Sequence, residues 1–131
     1  MEVIDSRFLA DYFLSDDEEI KSKATKHLTD LIKKRKGILP TIAITEIVRY
    51  VCNKRGAEEG TIRYLSLVRS GLFVSELTGE IAREAGLLKC LHPSIPTGDC
   101  IVACTAREKK AKVLSDDEHF DEIKGISRVW L

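Results

Sequence analysis

The chain has 131 residues, of which 44% are hydrophobic and 32% are charged, so a disordered chain and a fibrous repeat are both excluded. Its 21 basic residues balance 21 acidic ones, so the strongly positive field of proteins that hold nucleic acid by charge alone is absent. Nucleic acid is still a possible partner, because an acidic site offsets basic side chains elsewhere. We expect one domain over residues 1–131.

The cysteines form no CxxC pair and lie near no histidine at zinc-ligand spacing. No secretory signal is visible, and no run approaches the roughly 20 apolar residues of a membrane span. We therefore expect a cytoplasmic protein, without a membrane partner, whose thiols are reduced and mostly buried. They are Cys52, Cys90, Cys100 and Cys104.

The first half of the chain predicts two units of strand followed by helix. Val3-Ile4 is a short β-prone strand, and apolar residues at helical spacing follow from Phe8 to Phe13. Residues 20–34 predict a second helix, with acids before it and lysines at its end that suit the helix dipole. Residues 38–41 predict the second strand, and the apolar stripe over 44–51 predicts the next helix.

The second half continues the alternation. Residues 58–70 predict a helix, 72–74 a strand, and Thr78 opens a helix in which Leu87 and Leu88 point inward. A loop rich in proline then leads to a further helix. The remaining predicted elements are a helix over 99–107, a strand at 113–114, a helical turn at Phe120 and a last strand over 126–131.

Strands that alternate with helices predict a three-layer α/β/α fold with a mainly parallel five-stranded sheet. Acids follow two of these strands directly. Asp5 follows the first, and the run Ser115-Asp116-Asp117 follows the fourth. Open α/β sheets bind their ligands at the carboxyl ends of the strands. The alternative for Asp5 and Asp117 is a capping role at the next helical turn, and Asp116 and Asp117 cannot both point the same way.

Asp99 is the only charged residue between Thr97 and Ala106, and the apolar residues around it cover almost every side of the helix. This pattern indicates a buried helix. A buried carboxylate is costly unless a cation or hydrogen-bond donors compensate it. We favour a metal-site role for Asp99. The alternative is an acid at a helix start that backbone N–H groups satisfy.

Glu46 lies across the helical wheel from the apolar stripe, which usually means a solvated face. It nevertheless falls in the second turn after a strand end, where it can overlook the same rim. Carboxylates gathered from four elements would repel one another without a cation, and oxygen ligands favour Mg²⁺ or Mn²⁺. Such a site suits phosphodiester hydrolysis by a metal-activated water, with one free carboxylate as general base.

Four segments in this order resemble the motifs of the PIN domain family, and more narrowly those of the VapC toxins of prokaryotic toxin–antitoxin pairs. The fourth segment has a serine followed two places on by an aspartate, which selects Asp117 over Asp116. Cys100, Cys104 and Ser115 are mild departures from the family pattern. The segments are Val3-Ile4-Asp5-Ser6 with Leu9, Thr45-Glu46-Ile47, the helix start from Gly98 to Ala106, and the run from Val113 to Phe120.

The resemblance implies an endoribonuclease with one or two Mg²⁺ or Mn²⁺ ions, RNA as substrate, a VapB-like antitoxin partner and a homodimer. The residues implied as catalytic and metal-binding are Asp5, Glu46, Asp99 and Asp117. The resemblance also implies residues that contact and orient these acids without binding the metal themselves. They are Ser6, Ser115 and Asp116.

Some charged residues stay outside these motifs. Arg49, one turn beyond Glu46, is a candidate phosphate contact. The basic clusters at residues 33–36 and 109–112 either guide an RNA backbone or complement helix dipoles, and we favour the dipole role. We expect His27, His92 and His119 to be surface or locally bonded side chains.

Other functions compete with the toxin hypothesis. A free-standing PIN protein of RNA processing would carry the same motifs. A catalytically idle module would bind RNA or protein, and this binding would survive removal of the acids. A phosphoacceptor domain also gathers acids at strand ends. It needs an aspartate after the third strand, but Ser75 stands there.

Overall fold

The structure is a computed structural model that describes residues 1–131. No helix is both long enough and apolar enough to cross a membrane. The strands are β1 (Glu2–Ile4), β2 (Gly37–Pro40), β3 (Phe73–Ser75), β4 (Lys112–Leu114) and β5 (Arg128–Val129). The helices are α1 (Ser6–Leu14), α2 (Glu18–Lys34), α3 (Thr41–Arg55), α4 (Ala57–Val68), α5 (Gly79–Leu91) and α6 (Thr97–Lys109), and a 3₁₀ helix spans Glu118–Glu122.

The five strands form one sheet in the order β3-β2-β1-β4-β5, and every neighbouring pair is parallel. The predicted fold class is therefore confirmed, with a wholly parallel sheet. The chain leaves β1 toward β2 and β3 on one side, and later returns to the other side with β4. The gap between the ends of β1 and β4 is thus a topological switch point, where open α/β sheets bind ligands.

The core has two layers because successive strand residues point to opposite faces of the sheet. Ile4, Leu39 and Leu114 are fully buried on the face covered by α1 to α4. Their neighbours Val3, Ile38 and Val113 are fully buried on the face covered by α5, α6 and the 3₁₀ helix. Burial on both faces explains why the strands read as short apolar runs without alternation.

Some local predictions were wrong. Residue Thr41 begins α3 and does not belong to β2, because Pro40 ends the strand in an extended conformation and caps the helix. The last strand has only the two residues Arg128–Val129. Leu87 is 57% exposed, since the inward stripe of α5 runs through Ile81, Ala85 and Leu88.

The thiols also divide differently from the expectation. Cys100 and Cys104 are buried in α6, whereas Cys52 and Cys90 are exposed near the ends of α3 and α5.

Candidate functional site

The ends of β1 and β4 place two of the predicted site segments side by side. Ile4 pairs with Leu114, so Asp5 and Ser115 are the residues that leave the sheet at the switch point. The Ser115 hydroxyl donates a hydrogen bond of 2.7 Å to Asp5 Oδ2 and accepts one of 3.1 Å from the Asp117 backbone N–H. Ser115 therefore links the strand-end acids of β1 and β4.

Asp5 is only 2% exposed. It occupies the N-cap position of α1, yet its side chain makes no capping hydrogen bond, so the capping alternative is not realised. Burial raises the pKa of Asp5, and the hydrogen bond from Ser115 opposes this rise. Its carboxylate thus faces the switch point and does not serve the helix.

Asp99 lies in the first turn of α6, and the residues that follow it in this helix, Cys100, Val102 and Ala103, are buried. It is 9% exposed, and its Oδ2 has no hydrogen-bond partner. Backbone N–H groups of the helix start therefore do not satisfy this oxygen. Burial, followed by the charges of Asp5 and Asp117, raises the pKa of Asp99 to about 7.

Asp117 combines a cap with a place in the cluster. Its Oδ1 accepts a 2.9 Å hydrogen bond from the His119 backbone N–H at the start of the 3₁₀ helix, so the capping alternative holds for this residue. Burial raises the pKa of Asp117. The hydrogen bond from the His119 backbone N–H and the positive charge of the His119 side chain outweigh this effect and keep the pKa of Asp117 below its ordinary value. Ligand atoms of Asp99, Asp117 and His119 all lie within 4.8 Å of one another.

Glu46 is half-buried and points toward the start of α6. A Cβ atom added at Gly98 would lie 3.1 Å from Glu46 Oε2, so the glycine makes room for this carboxylate. Glu46 Oε1 is buried and has no hydrogen-bond partner. Burial and the charge of Asp5 raise the pKa of Glu46, whereas the nearby Ser6 side chain and the charge of Arg49 act to lower it.

Two arginines lie close to the acids. Arg7 Nε donates to Asp116 Oδ1, and this hydrogen bond together with the charges of Asp117 and Asp5 raises the pKa of Arg7. Arg49 is exposed, with its guanidinium 4.8 Å from the centre of the Tyr50 ring, and its charge acts to lower the pKa of Glu46.

The structure therefore brings all four sequence-predicted acids to one rim, with Ser6, Ser115 and Asp116 beside them. Sequence reasoning missed Arg7 and set His119 aside. Their positions in the sequence could have indicated both residues, because Arg7 lies two residues after Asp5 and His119 lies two residues after Asp117. The neighbouring depression has a volume of about 420 Å³ and is lined by Arg7, Asp116, Asp117, Glu118, His119 and Glu122.

A larger depression of about 570 Å³ lies along α2, but its lining contains none of these acids. The clustered acids therefore lie at the switch point and not in the larger depression. Glu46 Oε1 and Asp99 Oδ2 are buried oxygens without partners. Buried polar atoms are nearly always paired, so an oxygen-lined cluster of this kind fits a hard divalent cation that would complete it.

Comparison with known proteins agrees with this architecture. VapC20 of Mycobacterium tuberculosis, a sarcin–ricin loop cleaving toxin, superposes with a TM-score of 0.82 at 14% identity, over 98% of this chain and 98% of that chain. VapBC2 from Rickettsia felis, bound to a promoter DNA fragment, gives a TM-score of 0.78 at 14% identity, over 99% of this chain and 98% of that chain.

DNA-bound VapBC from Salmonella typhimurium gives a TM-score of 0.74 at 16% identity, over 98% of this chain and 96% of that chain. At such low identities these matches show the shared fold. No curated protein gives a significant match to the sequence. The family model described as PIN domain matches residues 3–126. Since that match spans all four motif-bearing acids and nearly the whole chain, the chain belongs to the PIN domain family.

Proposed function

We propose that this protein is a divalent-metal-dependent endoribonuclease and the toxin of a VapBC-type pair. The observation that carries the proposal is Asp99, a carboxylate nine-tenths buried whose Oδ2 lacks a partner and faces other acids. A protein that only binds RNA would gain nothing from this costly arrangement. A bound cation would compensate it.

The acids would hold one or two ions, Mg²⁺ or Mn²⁺, between the ends of β1 and β4. When bound, the ion would lower the pKa of a water molecule and stabilise negative charge on the phosphate. Asp5 and Ser115 would supply rigidity, since the 2.7 Å hydrogen bond fixes the orientation of the Asp5 carboxylate. Asp116, which pairs with Arg7, would keep that guanidinium at the rim.

Glu46 is our candidate for the general base. Its Oε1 has no donor, and its raised pKa makes it a better proton acceptor than an ordinary carboxylate. In the proposed step Glu46 accepts a proton from water as the water oxygen bonds to phosphorus. The bond between phosphorus and the leaving ribose oxygen breaks, and that oxygen takes a proton from solvent.

RNA is the proposed substrate because the similar fold of VapC20 belongs to a toxin that cleaves the sarcin–ricin loop. The charge of Arg7 interacts with Asp5 and Asp117, and the charge of Arg49 interacts with Glu46, so both guanidinium groups would contact phosphates next to the cleaved bond. Guanidinium groups suit this task because their planar fork matches phosphate oxygens.

We also propose a VapB-like antitoxin and a second copy of this chain as partners. The support is that similar folds occur in VapBC complexes from Rickettsia felis and Salmonella typhimurium. A role in RNA processing is the alternative. Expression should arrest growth if the chain is a toxin, and co-expression of a small neighbouring gene should relieve the arrest. Growth unaffected by the active nuclease would favour RNA processing.

The nuclease proposal is tested by incubating purified protein with RNA that contains single-stranded loops, in Mg²⁺, in Mn²⁺ or in EDTA. We expect cleavage only with metal, and a loss of about 100-fold or more in Asp5→Asn and Asp99→Asn. The matched control is Asp30→Asn, an exposed acid on α2 that pairs with Lys34. Cleavage that persists in EDTA, or equal loss in the control, would refute the proposal.

A further inference from the structure

We infer that His119 supplies a nitrogen ligand to the ion at this site, so that the site selects a first-row transition-metal ion such as Mn²⁺ over Mg²⁺. This inference rests on the proposed function only in placing a divalent ion beside Asp99 and Asp117. It adds a ligand from outside the carboxylate set and a metal preference that carboxylates alone would not produce.

The chain holds His119 in place through its neighbours. Phe120 is fully buried in the core, and Asp117 Oδ1 accepts the His119 backbone N–H at 2.9 Å. These two contacts fix the start of the 3₁₀ helix and leave the imidazole on the same side as the Asp117 carboxylate. The side chain is 44% exposed, yet its Nδ1 atom is buried. One edge of the ring is therefore directed into the cluster.

Two buried atoms face each other across the cluster without a hydrogen bond. His119 Nδ1 lies 3.4 Å from Asp99 Oδ2, and both atoms lack a hydrogen-bond partner. Nδ1 also lies 3.0 Å from Asp117 Oδ1, in a geometry that does not make a hydrogen bond. Since Asp99 is nine-tenths buried, water cannot readily serve its free oxygen. A cation between these atoms would satisfy both of them.

The separations are those of ligands around one ion. In octahedral coordination with metal–ligand distances of about 2.1 Å, adjacent ligand atoms lie about 3.0 Å apart. The observed 3.0 Å and 3.4 Å are close to this value, and all three residues offer atoms within 4.8 Å of one another. A single ion could therefore contact Asp99, Asp117 and His119 with small side-chain adjustments.

A nitrogen ligand changes which ion is preferred. Mg²⁺ binds almost only oxygen and loses its water reluctantly, whereas transition-metal ions accept imidazole together with carboxylates. Replacing the imidazole by an amide should therefore weaken transition-metal binding much more than Mg²⁺ binding.

The test uses the whole protein and two probes, Mn²⁺ and Mg²⁺. Affinity is measured by calorimetry or by loss of the free Mn²⁺ resonance, and pulsed electron paramagnetic resonance detects nitrogen bound to Mn²⁺. We expect nitrogen coupling in the wild type and none in His119→Gln. Mn²⁺ affinity should fall by about 10-fold or more in that variant, while Mg²⁺ affinity changes by less than about 3-fold. The control is His92→Gln, which should match the wild type.

Bound Mn²⁺ without nitrogen coupling in the wild type, or equal losses of Mn²⁺ and Mg²⁺ affinity in His119→Gln, would overturn the inference. The nuclease proposal would survive either outcome, provided that metal-dependent cleavage remains. Absence of any divalent binding to the wild type would overturn both. His119→Ala serves as a second variant, because an amide oxygen could itself bind the ion.

Discussion

Replacing Asp99 by asparagine should stabilise the metal-free protein, although it removes a residue that we place in the active site. In the folded state the Asp99 carboxylate is buried and close to Asp5 and Asp117, so its ionised form is disfavoured. Asparagine has nearly the same shape and carries no charge. It would therefore relieve both the burial cost and the repulsion.

The magnitude follows from the rise in the pKa of Asp99 from 3.8 to about 7. Each tenfold change in an acid constant corresponds to about 1.4 kcal/mol, so the ionised form costs up to about 4 kcal/mol in the folded state. Part of this cost is offset because Asp99 itself contributes to lowering the pKa of Asp117, a contribution smaller than that of His119. We expect a net gain of about 2 kcal/mol, or roughly 8 °C in Tm.

The effect of Asp99→Asn on the free energy of unfolding depends on pH, because the charge of Asp99 does. Below about pH 4 Asp99 is protonated in both the folded and the unfolded chain, and the substitution changes little. Between about pH 4 and pH 7 the unfolded chain releases this proton first, so the stability of the metal-free wild type falls as the pH rises. Above the folded pKa of about 7 the full cost is present, and the gain in Asp99→Asn is largest.

Urea denaturation in EDTA at pH 4.5 and pH 8.5 measures this difference in the free energy of unfolding. Addition of Mn²⁺ at pH 8.5 should reverse the order, because the wild type gains binding free energy that the variant loses. Asp30→Asn should stay within about 0.5 kcal/mol of the wild type, since its partner Lys34 is also exposed. If Asp99→Asn is no more stable than the wild type in EDTA at pH 8.5, the reasoning fails.

Two further substitutions test how the site is held. Ser115→Ala removes the 2.7 Å hydrogen bond to Asp5, and we expect a loss of about 1.5–3 kcal/mol by urea denaturation, with Ser115→Thr restoring most of it. An unchanged stability in Ser115→Ala would contradict the role of this bond. Gly98→Ala should keep or raise helix stability but displace Glu46, whose Oε2 would lie 3.1 Å from the new Cβ, so RNA cleavage should fall by up to about 10-fold while Tm does not. Full activity in this variant would mean that Glu46 tolerates the displacement.

Predictions from the sequence succeeded where a local pattern records burial. The strands Val3-Ile4 and Val113-Leu114 read as apolar runs because both faces of the sheet are covered, and the structure buries them completely. Asp99 could be singled out because the apolar residues of α6 surround it. The predictions from the sequence failed where an apolar residue lies just beside the buried stripe of a helix, as Leu87 does on α5.

The sequence by itself determined the alternation of strands and helices, the buried helix that carries Asp99 and the acids at two strand ends. Only the tertiary structure decided which strands are neighbours, and the parallel pairing of β1 with β4 brings Asp5 and Ser115 together across 110 positions of the chain. The same is true of Glu46 beside Gly98, and of the His119 ring edge beside Asp99. Periodicity reports whether a side chain faces the core. It carries no information on which distant residue shares that location, because this depends on strand order and on packing between elements.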